Sequence, residues 1–319
     1  MTSIPRLDLE DFRSTNSERR DDFNTGLRTA LVEFGFVRIT GHGINAECIR
    51  DVYDAFEAFF AGSDAEKALS ASAEGGQRGF TPFGIEHAKD QSTPDSKEFF
   101  HVGRELPAGH PLRKQYPDNV WPKDNAKLRT ASLAIYEALD RCASELLESL
   151  ALAFELPAQT FSQMLRDGNS ILRSLHYPPL LGTTAADTWT GDGFRAAPHE
   201  DINLITLLCE ATDPGLEILT RDGKWLAVPA HPGEIIVDAG DMLSRVTNNV
   251  IPSATHRVVS TAATTARHRY SLPYFAHPFP DCDLSVLHAF VEPGTDALYP
   301  PITAGTFLEE RLREIGLIS

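Results

Sequence analysis

The chain contains no run of eighteen or more apolar residues, so nothing in it reads as a membrane span. Its opening stretch, MTSIPRLDLEDFRSTNSERRDD, lacks the apolar core of a secretory signal. Cysteine is sparse: Cys48, Cys142, Cys209 and Cys282 lie far apart and form no CxxC pair. Scattered thiols without a leader read as reduced, mostly buried side chains, and the expected compartment is the cytoplasm. Basic charge is short as well. Lys and Arg number 29 against 45 Asp and Glu, a net charge of −16, and no basic stripe interrupts the deficit. Affinity for nucleic acid or anionic lipid rests on clustered Lys and Arg, so neither is an expected partner. Gly and Pro, at 22 and 21 residues, sit near ordinary usage and exclude collagen-like or low-complexity character. No internal repeat is visible.

What is present is a globular composition, 319 residues with 42 % hydrophobic and 23 % charged. That length allows one large domain or two closely packed ones, with ample core. The spacing predicts a short strand over Ile4–Leu9, a helix over Ser17–Glu33 stopped at Gly35, and a strand over Phe36–Ile39. A second amphipathic helix follows over Ala46–Phe60. Ala71–Ser96 is polar and Gly/Ser-rich and reads as a long surface loop. Asp124–Leu156 is the longest helical stretch, with Leu128, Leu133, Ile135, Leu139, Leu146, Leu147, Leu150 and Leu152 as its apolar face.

Beyond Ser170 the texture changes to short strands: Ile171–Tyr177, Ile202–Leu208, Leu216–Thr220, Lys224–Val228, Ile235–Asp238, His256–Ser260 and Tyr270–Ala276. Arg221-Asp222-Gly223 is a hairpin turn between two of them. Strands of this length and spacing point to a sandwich or barrel, and Ala304–Ile315 is helical again.

The segment that carries chemistry is His199-Glu200-Asp201, at the entrance to the apolar run Ile202–Leu208. Read as strand, it projects His199 and Asp201 to one side and Glu200 to the other. His256, 55 positions after Asp201, opens another strand and can supply a third ligand. Two imidazoles and one carboxylate on one side of a metal leave its other positions open, which suits non-haem Fe(II). The bland alternatives are a chance HxD among 11 histidines, or a buried His–Asp hydrogen bond. The order of a further element favours the metal. Arg269-Tyr270-Ser271 places Arg and Ser at i and i+2, able to grip one carboxylate from the same face.

On these residues the chain resembles the isopenicillin-N-synthase-like family of Fe(II)- and 2-oxoglutarate-dependent dioxygenases. Phe34-Gly35-Phe36-Val37 with Gly41-His42-Gly43-Ile44 is similar to the family's N-terminal signature, and Tyr177-Pro178-Pro179 to its Tyr-Pro-Pro segment. The resemblance implies an α+β fold: a distorted double-stranded β-helix (jelly-roll) core with a helical N-terminal region and flanking helices. It implies four segments: an N-terminal dioxygenase region at 1–120, bridging helices at 121–168, the catalytic core at 169–285 and a C-terminal helical segment at 286–319. It further implies Fe(II) on His199, Asp201 and His256, with 2-oxoglutarate held by Arg269, Ser271 and Tyr177. O2 is the remaining co-substrate. Decarboxylation to succinate and CO2 would then be coupled to hydrogen abstraction from a small molecule.

One departure, one retained position and six further residues bear on specificity. Where many plant members read Asn-Tyr-Tyr-Pro, this chain reads Leu175-His176-Tyr177-Pro178, which leaves the role of His176 open. Asp201 is intact where related halogenases carry a small residue, so hydroxylation-type chemistry is expected over halogenation. Arg78 and Phe80, in Gly76–Thr81, fall where the family's N-terminal region covers the mouth, and Arg78 is a candidate partner for a substrate carboxylate. His101, Arg104, Arg195 and Phe275 are the other substrate-side candidates, each with a structural alternative. The arginines lean towards an anionic substrate. Asp241 reads as a helix cap. Two other readings stay open at this point: an iron oxidase that needs no 2-oxo acid, and a non-catalytic ligand-binding jelly roll.

Overall fold

Short polar side chains set the helix boundaries in the N-terminal half. After β1 (Arg6–Asp8) and the single turn α1 (Leu9–Phe12), Asn16 accepts from the Glu18 amide at 2.9 Å and opens α2 (Ser17–Phe34). Gly35, in the left-handed region at φ 67°, closes α2 and turns the chain into β2 (Phe36–Thr40). Asn45 caps α3 (Ala46–Phe60), and Ser63 and Glu66 cap α4 (Asp64–Ala68) reciprocally. The computed structural model describes residues 3–71, 77–85, 97–179, 194–229, 231–260 and 264–314.

Helix α5 (Ala126–Ala153) has 28 residues and, with α6 (Gln159–Leu165), packs among α2 and α3 against one face of a large sheet. Its buried stripe includes Leu128, Ile135, Leu139, Leu146, Leu147 and Leu150. Leu133 is only partly buried and Leu152 faces outward at 40 % exposure, so both lie at or beyond the edge of the expected apolar face. No helix among the described residues is long and apolar enough to cross a membrane.

The architecture is α+β, two facing sheets in a distorted jelly roll. The remaining strands are β3 (Gly79–Thr81), β4 (Glu98–Gly103), β5 (Ile171–Tyr177), β6 (Phe194–His199), β7 (Ile205–Cys209) and β8 (Leu216–Leu219). They continue with β9 (Trp225–Ala227), β10 (Ile235–Ala239), β11 (His256–Val259) and β12 (Arg269–Ala276). The large sheet runs β1-β2-β10-β7-β12-β5-β4-β3 and the small one β6-β11-β8-β9. The N-terminal region thus builds both edges of the large sheet. Helix α7 (Asp241–Val246) follows β10, and α8 (Ala304–Glu314) lies near the C-terminus.

Four expectations need correction. The segment Ala71–Ser96 is not all surface loop, because Gly79–Thr81 is a buried strand paired with β4; residues 72–76 and 86–96 lie outside the described set. Strands β4 and β6 escaped notice. β4 is buried on both faces and so does not alternate, while Phe194–His199 carries two alanines and a proline. The run Ile202–Leu208 becomes strand only at Ile205. The carbonyls of Asp201, Ile202, Asn203 and Leu204 accept from the amides of Gly240, Asp241 and Met242, where α7 begins. Gly240, not Asp241, is the cap of that helix, and a Cβ there would meet the Asp201 carbonyl at 2.8 Å. The C-terminal helix ends at Glu314, with Ile315 outside the described residues.

Candidate active site

His199 and Asp201 do not share a strand. His199 is the last residue of β6 in the small sheet, and Asp201 sits in the corner that leads across to β7 in the large one. His256 opens β11 and pairs directly opposite His199. The two imidazoles are therefore neighbours by register, and the corner brings the carboxylate to them. Each Nε2 lies 4.0 Å from Asp201 Oδ1, and the three donor atoms all fall within 4.8 Å of one another.

The ring orientations are set by the backbone. His199 Nδ1 lies 2.7 Å from the Ala197 carbonyl and His256 Nδ1 lies 3.0 Å from the Ala254 carbonyl. A proton on each Nδ1 leaves each Nε2 lone pair aimed at Asp201, the tautomer that a metal requires. Burial and the neighbouring His256 push His199 down to about 4, so its lone pair is available at neutral pH. Asp201 Oδ2 accepts from Thr206 Oγ1, which in turn accepts from Asn203 Nδ2 at 3.0 Å. Asp238, on β10 beside them, is pushed well above the usual carboxylate range by burial and by the charge of Asp201.

A cavity of about 430 Å³ opens beside the triad, within the ordinary range for a small-molecule site. Its floor follows strand periodicity. Ile171, Arg173, Leu175 and Tyr177 line it from β5; Arg269, Ser271, Pro273 and Phe275 line it from β12, continued by His277. Arg269 is 2 % exposed. Its Nε donates to the Asp213 carbonyl at 3.1 Å and its guanidinium lies 5.1 Å from the Tyr177 ring centroid. Its Nη1 is buried without a partner. Burial also raises Asp241, at the cavity wall, to about 6.

Of the twelve residues singled out above, eight line this one cavity: His199, Asp201, His256, Arg269, Ser271, Tyr177, His101 and Phe275. Arg78, Phe80, Arg104 and Arg195 do not. Arg78 is fully buried behind β4, bonded to Asn169 Oδ1 at 2.7 Å. Phe80 packs edge-on against Phe59 in the core. Arg104 grips Asp140 with both terminal nitrogens and donates from Nε to the Gly168 carbonyl. Arg195 bonds Ser260 and the carbonyls of Thr264 and Arg267, tying that segment to β6. These arginines, near the site in sequence, are absorbed as internal ties. His176 points to the opposite face of β5, with Nδ1 2.7 Å from Glu98 and Nε2 2.8 Å from His268.

Arg173 and His277 were missed although the pattern carried them. Counting back from Tyr177 by twos on the expected strand reaches Arg173, and counting on from Ser271 by twos reaches His277. Thr206 and Asp238 gave no such signal, since they reach the site through strand pairing alone.

Residues 4–124 match a family described as the N-terminal part of the non-haem dioxygenases in morphine synthesis, and residues 168–278 match the 2OG-Fe(II) oxygenase superfamily. A 2-oxoglutarate-Fe(II) type oxidoreductase of Aspergillus fumigatus is 31 % identical, covering 97 % of this chain and 92 % of the relative. A structure of a 2OG-Fe(II) oxygenase family protein from Caulobacter crescentus is 37 % identical, with a TM-score of 0.87 over 99 % of this chain and all of that one. A full-length Neurospora crassa protein, solved in complex with alpha-KG, shares the fold at a TM-score of 0.84 and 24 % identity, covering 97 % of this chain and 96 % of that one. A carboxylate and two imidazoles converging beside an arginine with an unpartnered nitrogen, on a fold these relatives share along nearly its whole length, leave one assignment: the chain belongs to the Fe(II)- and 2-oxoglutarate-dependent dioxygenases.

Proposed function

We propose that His199, Asp201 and His256 hold Fe(II), that Arg269 and Ser271 hold the far carboxylate of 2-oxoglutarate beside Tyr177, and that the protein hydroxylates a small anionic molecule in the cytoplasm. The observation that carries this reading is a three-donor cluster in a cavity whose wall offers a buried, unpartnered guanidinium nitrogen.

The donor set suits the metal. Two neutral imidazoles and one carboxylate, all on one side, bind a first-row divalent ion and leave further positions for exchangeable ligands. The clamp suits the co-substrate. Arg269 Nη1 and the Ser271 hydroxyl share the inward face of β12, and a carboxylate there would satisfy the orphaned nitrogen. When bound, Fe(II) with 2-oxoglutarate and O2 supplies oxidative decarboxylation to succinate and CO2, coupled to oxidation of a substrate C–H bond.

The chain's own residues do the positioning. The Ala197 and Ala254 carbonyls hold the two ring tautomers, and Thr206 orients Asp201. Tyr177 lies beneath Arg269 and closes that end of the cavity. All six proposed ligand and clamp residues fall in the proposed core at 169–285, with 1–120, 121–168 and 286–319 as the surrounding segments. Four unpaired cysteines support a reducing compartment.

The test is an anaerobic titration of the apoprotein with Fe(II) and then 2-oxoglutarate, read by the visible charge-transfer band of the chelate. A saturable band that disappears in Asp201→Ala is expected. Bound iron without a band would overturn the 2-oxoglutarate assignment.

A further inference from the structure

The cavity has a second cationic corner, away from Arg269. Arg173 lies on the cavity face of β5, between the Leu172–Tyr274 and Leu175–Ser271 pairs, whereas Arg269 is paired with Tyr177. The two positions are four residues apart along the strands, about 13 Å. Across the sheet, β12 alone separates β5 from β7, which carries the Thr206 that bonds Asp201. That is two strand spacings, about 10 Å. Arg173, Arg269 and the metal donors therefore mark three corners of one space.

The chemistry of this corner is that of an anion site. The Arg173 guanidinium is flanked by the Phe99 and Phe275 rings, 4.4 and 5.2 Å from their centroids, and its Nε bonds His101 Nε2. Its hydrogen bonding is thereby confined to the guanidinium plane. His277 ends the inward row of β12; it is 7 % exposed, and its Nδ1 has no partner. Behind it Arg78 is fully enclosed. Among the described residues it bonds only the Gln77 carbonyl and Asn169, its Nε is unpartnered, and no carboxylate faces it. Burial holds the His277 imidazole neutral, and the charges of Arg173 and Arg78 act in the same sense against the opposing charge of Asp201. The enclosed charge of Arg78 and the orphaned His277 nitrogen are costly to bury, and an anion in the corner would offset both.

We propose that this corner binds a carboxylate of the oxidised substrate, with Arg173 and His277 as its contacts and Arg78 acting only through its field. The substrate is then a small carboxylic acid whose apolar body, a ring or short chain, lies over Pro273 and Phe275 and presents a C–H bond to the metal donors. This rests on the reading of the site as an Fe(II)/2-oxoglutarate centre. It replaces Arg78, Arg104 and Arg195 with Arg173 as the residue that sets specificity.

The test is calorimetric titration of the anaerobic protein, loaded with Fe(II) and 2-oxoglutarate. Phenylacetate, 4-phenylbutyrate and hexanoate are each compared with their primary amides. At least one acid is expected to bind tenfold or more tightly than its amide. Arg173→Met should reduce that ratio below twofold, Arg173→Lys should keep part of it, and His277→Phe should lower it about threefold. No acid-over-amide preference in any pair, or a preference intact in Arg173→Met, overturns the proposal. The chelate band separates this from the underlying reading. A wild-type protein without the band fails the iron and 2-oxoglutarate assignment, whatever the acids do. A folded Arg173→Met protein that loses the band assigns Arg173 to the co-substrate and overturns the substrate site.

Discussion

Strand β5 has a buried network of charged and imidazole side chains on one face and a cavity on the other. On the helix-facing side, His176 has both ring nitrogens engaged, and Glu98 bridges it to Lys67 at 2.7 and 2.8 Å. Tyr270 and His268 stack on the same imidazole. On the other side, one residue away in either direction, the strand looks into a cavity where Arg269 Nη1 and His277 Nδ1 have no partner. A closed network makes a rigid wall. Unpartnered polar atoms lining a buried cavity call for an explanation, and a ligand that completes them supplies one.

That contrast can be broken by substitution, and the largest effect belongs to the open side. Asp201→Ala should reduce iron-dependent 2-oxoglutarate decarboxylation to background, measured as succinate formed; activity near wild type would remove Asp201 from the metal site. Arg269→Ala should weaken 2-oxoglutarate binding by about 3 kcal/mol, roughly a hundredfold, because a buried charge-assisted pair is lost. Titration of the chelate band measures it, and an unchanged Kd would mean another residue holds that carboxylate.

On the closed side the readout should switch from affinity to stability. Glu98→Ala strands the buried Lys67 ammonium beside Asp64 alone and should cost about 3 kcal/mol in urea unfolding. Its 2-oxoglutarate affinity should stay within about twofold. Normal stability with impaired affinity would reverse the comparison between the two faces.

The smallest effect sharpens the open side through pH. Burial, with Arg173 and Arg78, lowers His277 from the usual 6.5 to about 4. The unfolded chain therefore takes up a proton that the folded one refuses. Stability from this group is complete above pH 6.5 and falls as pH drops towards 4. At pH 5.5 the loss is about 1 kcal/mol, and His277→Gln should flatten that part of the stability profile. An identical profile in the variant would show that the imidazole titrates normally.

Local pattern carried much of this molecule. Asn16, Asn45 and Gly35 bound helices that the periodicity already outlines, and Ile171–Tyr177 is a strand with the limits its residues suggest. The HxD, His and Arg-x-Ser elements were readable because their residue types are chemically restrictive. What failed was anything that depends on where a segment sits. The corner at Asp201 was read as strand because its residues are apolar; tertiary hydrogen bonds to the start of α7 hold it otherwise. Arg78 and Arg104 lie on segments that look exposed in sequence, yet Gly103 leaves a space that the Arg78 guanidinium fills, and Asp140 waits for Arg104 on α5.

By itself, then, the order of residues determined the donor types, the strand parity that aims Arg173, Arg269 and Ser271 inward, and the caps that end the helices. These depend on chemistry and on periods of two to four residues, which are local properties of a chain. Only the tertiary structure decided that His199 and Asp201 meet across a corner between two sheets, and which arginines are solvated, tied or left open. Those outcomes turn on pairing between strands far apart in sequence, and on which charges find partners once water is excluded.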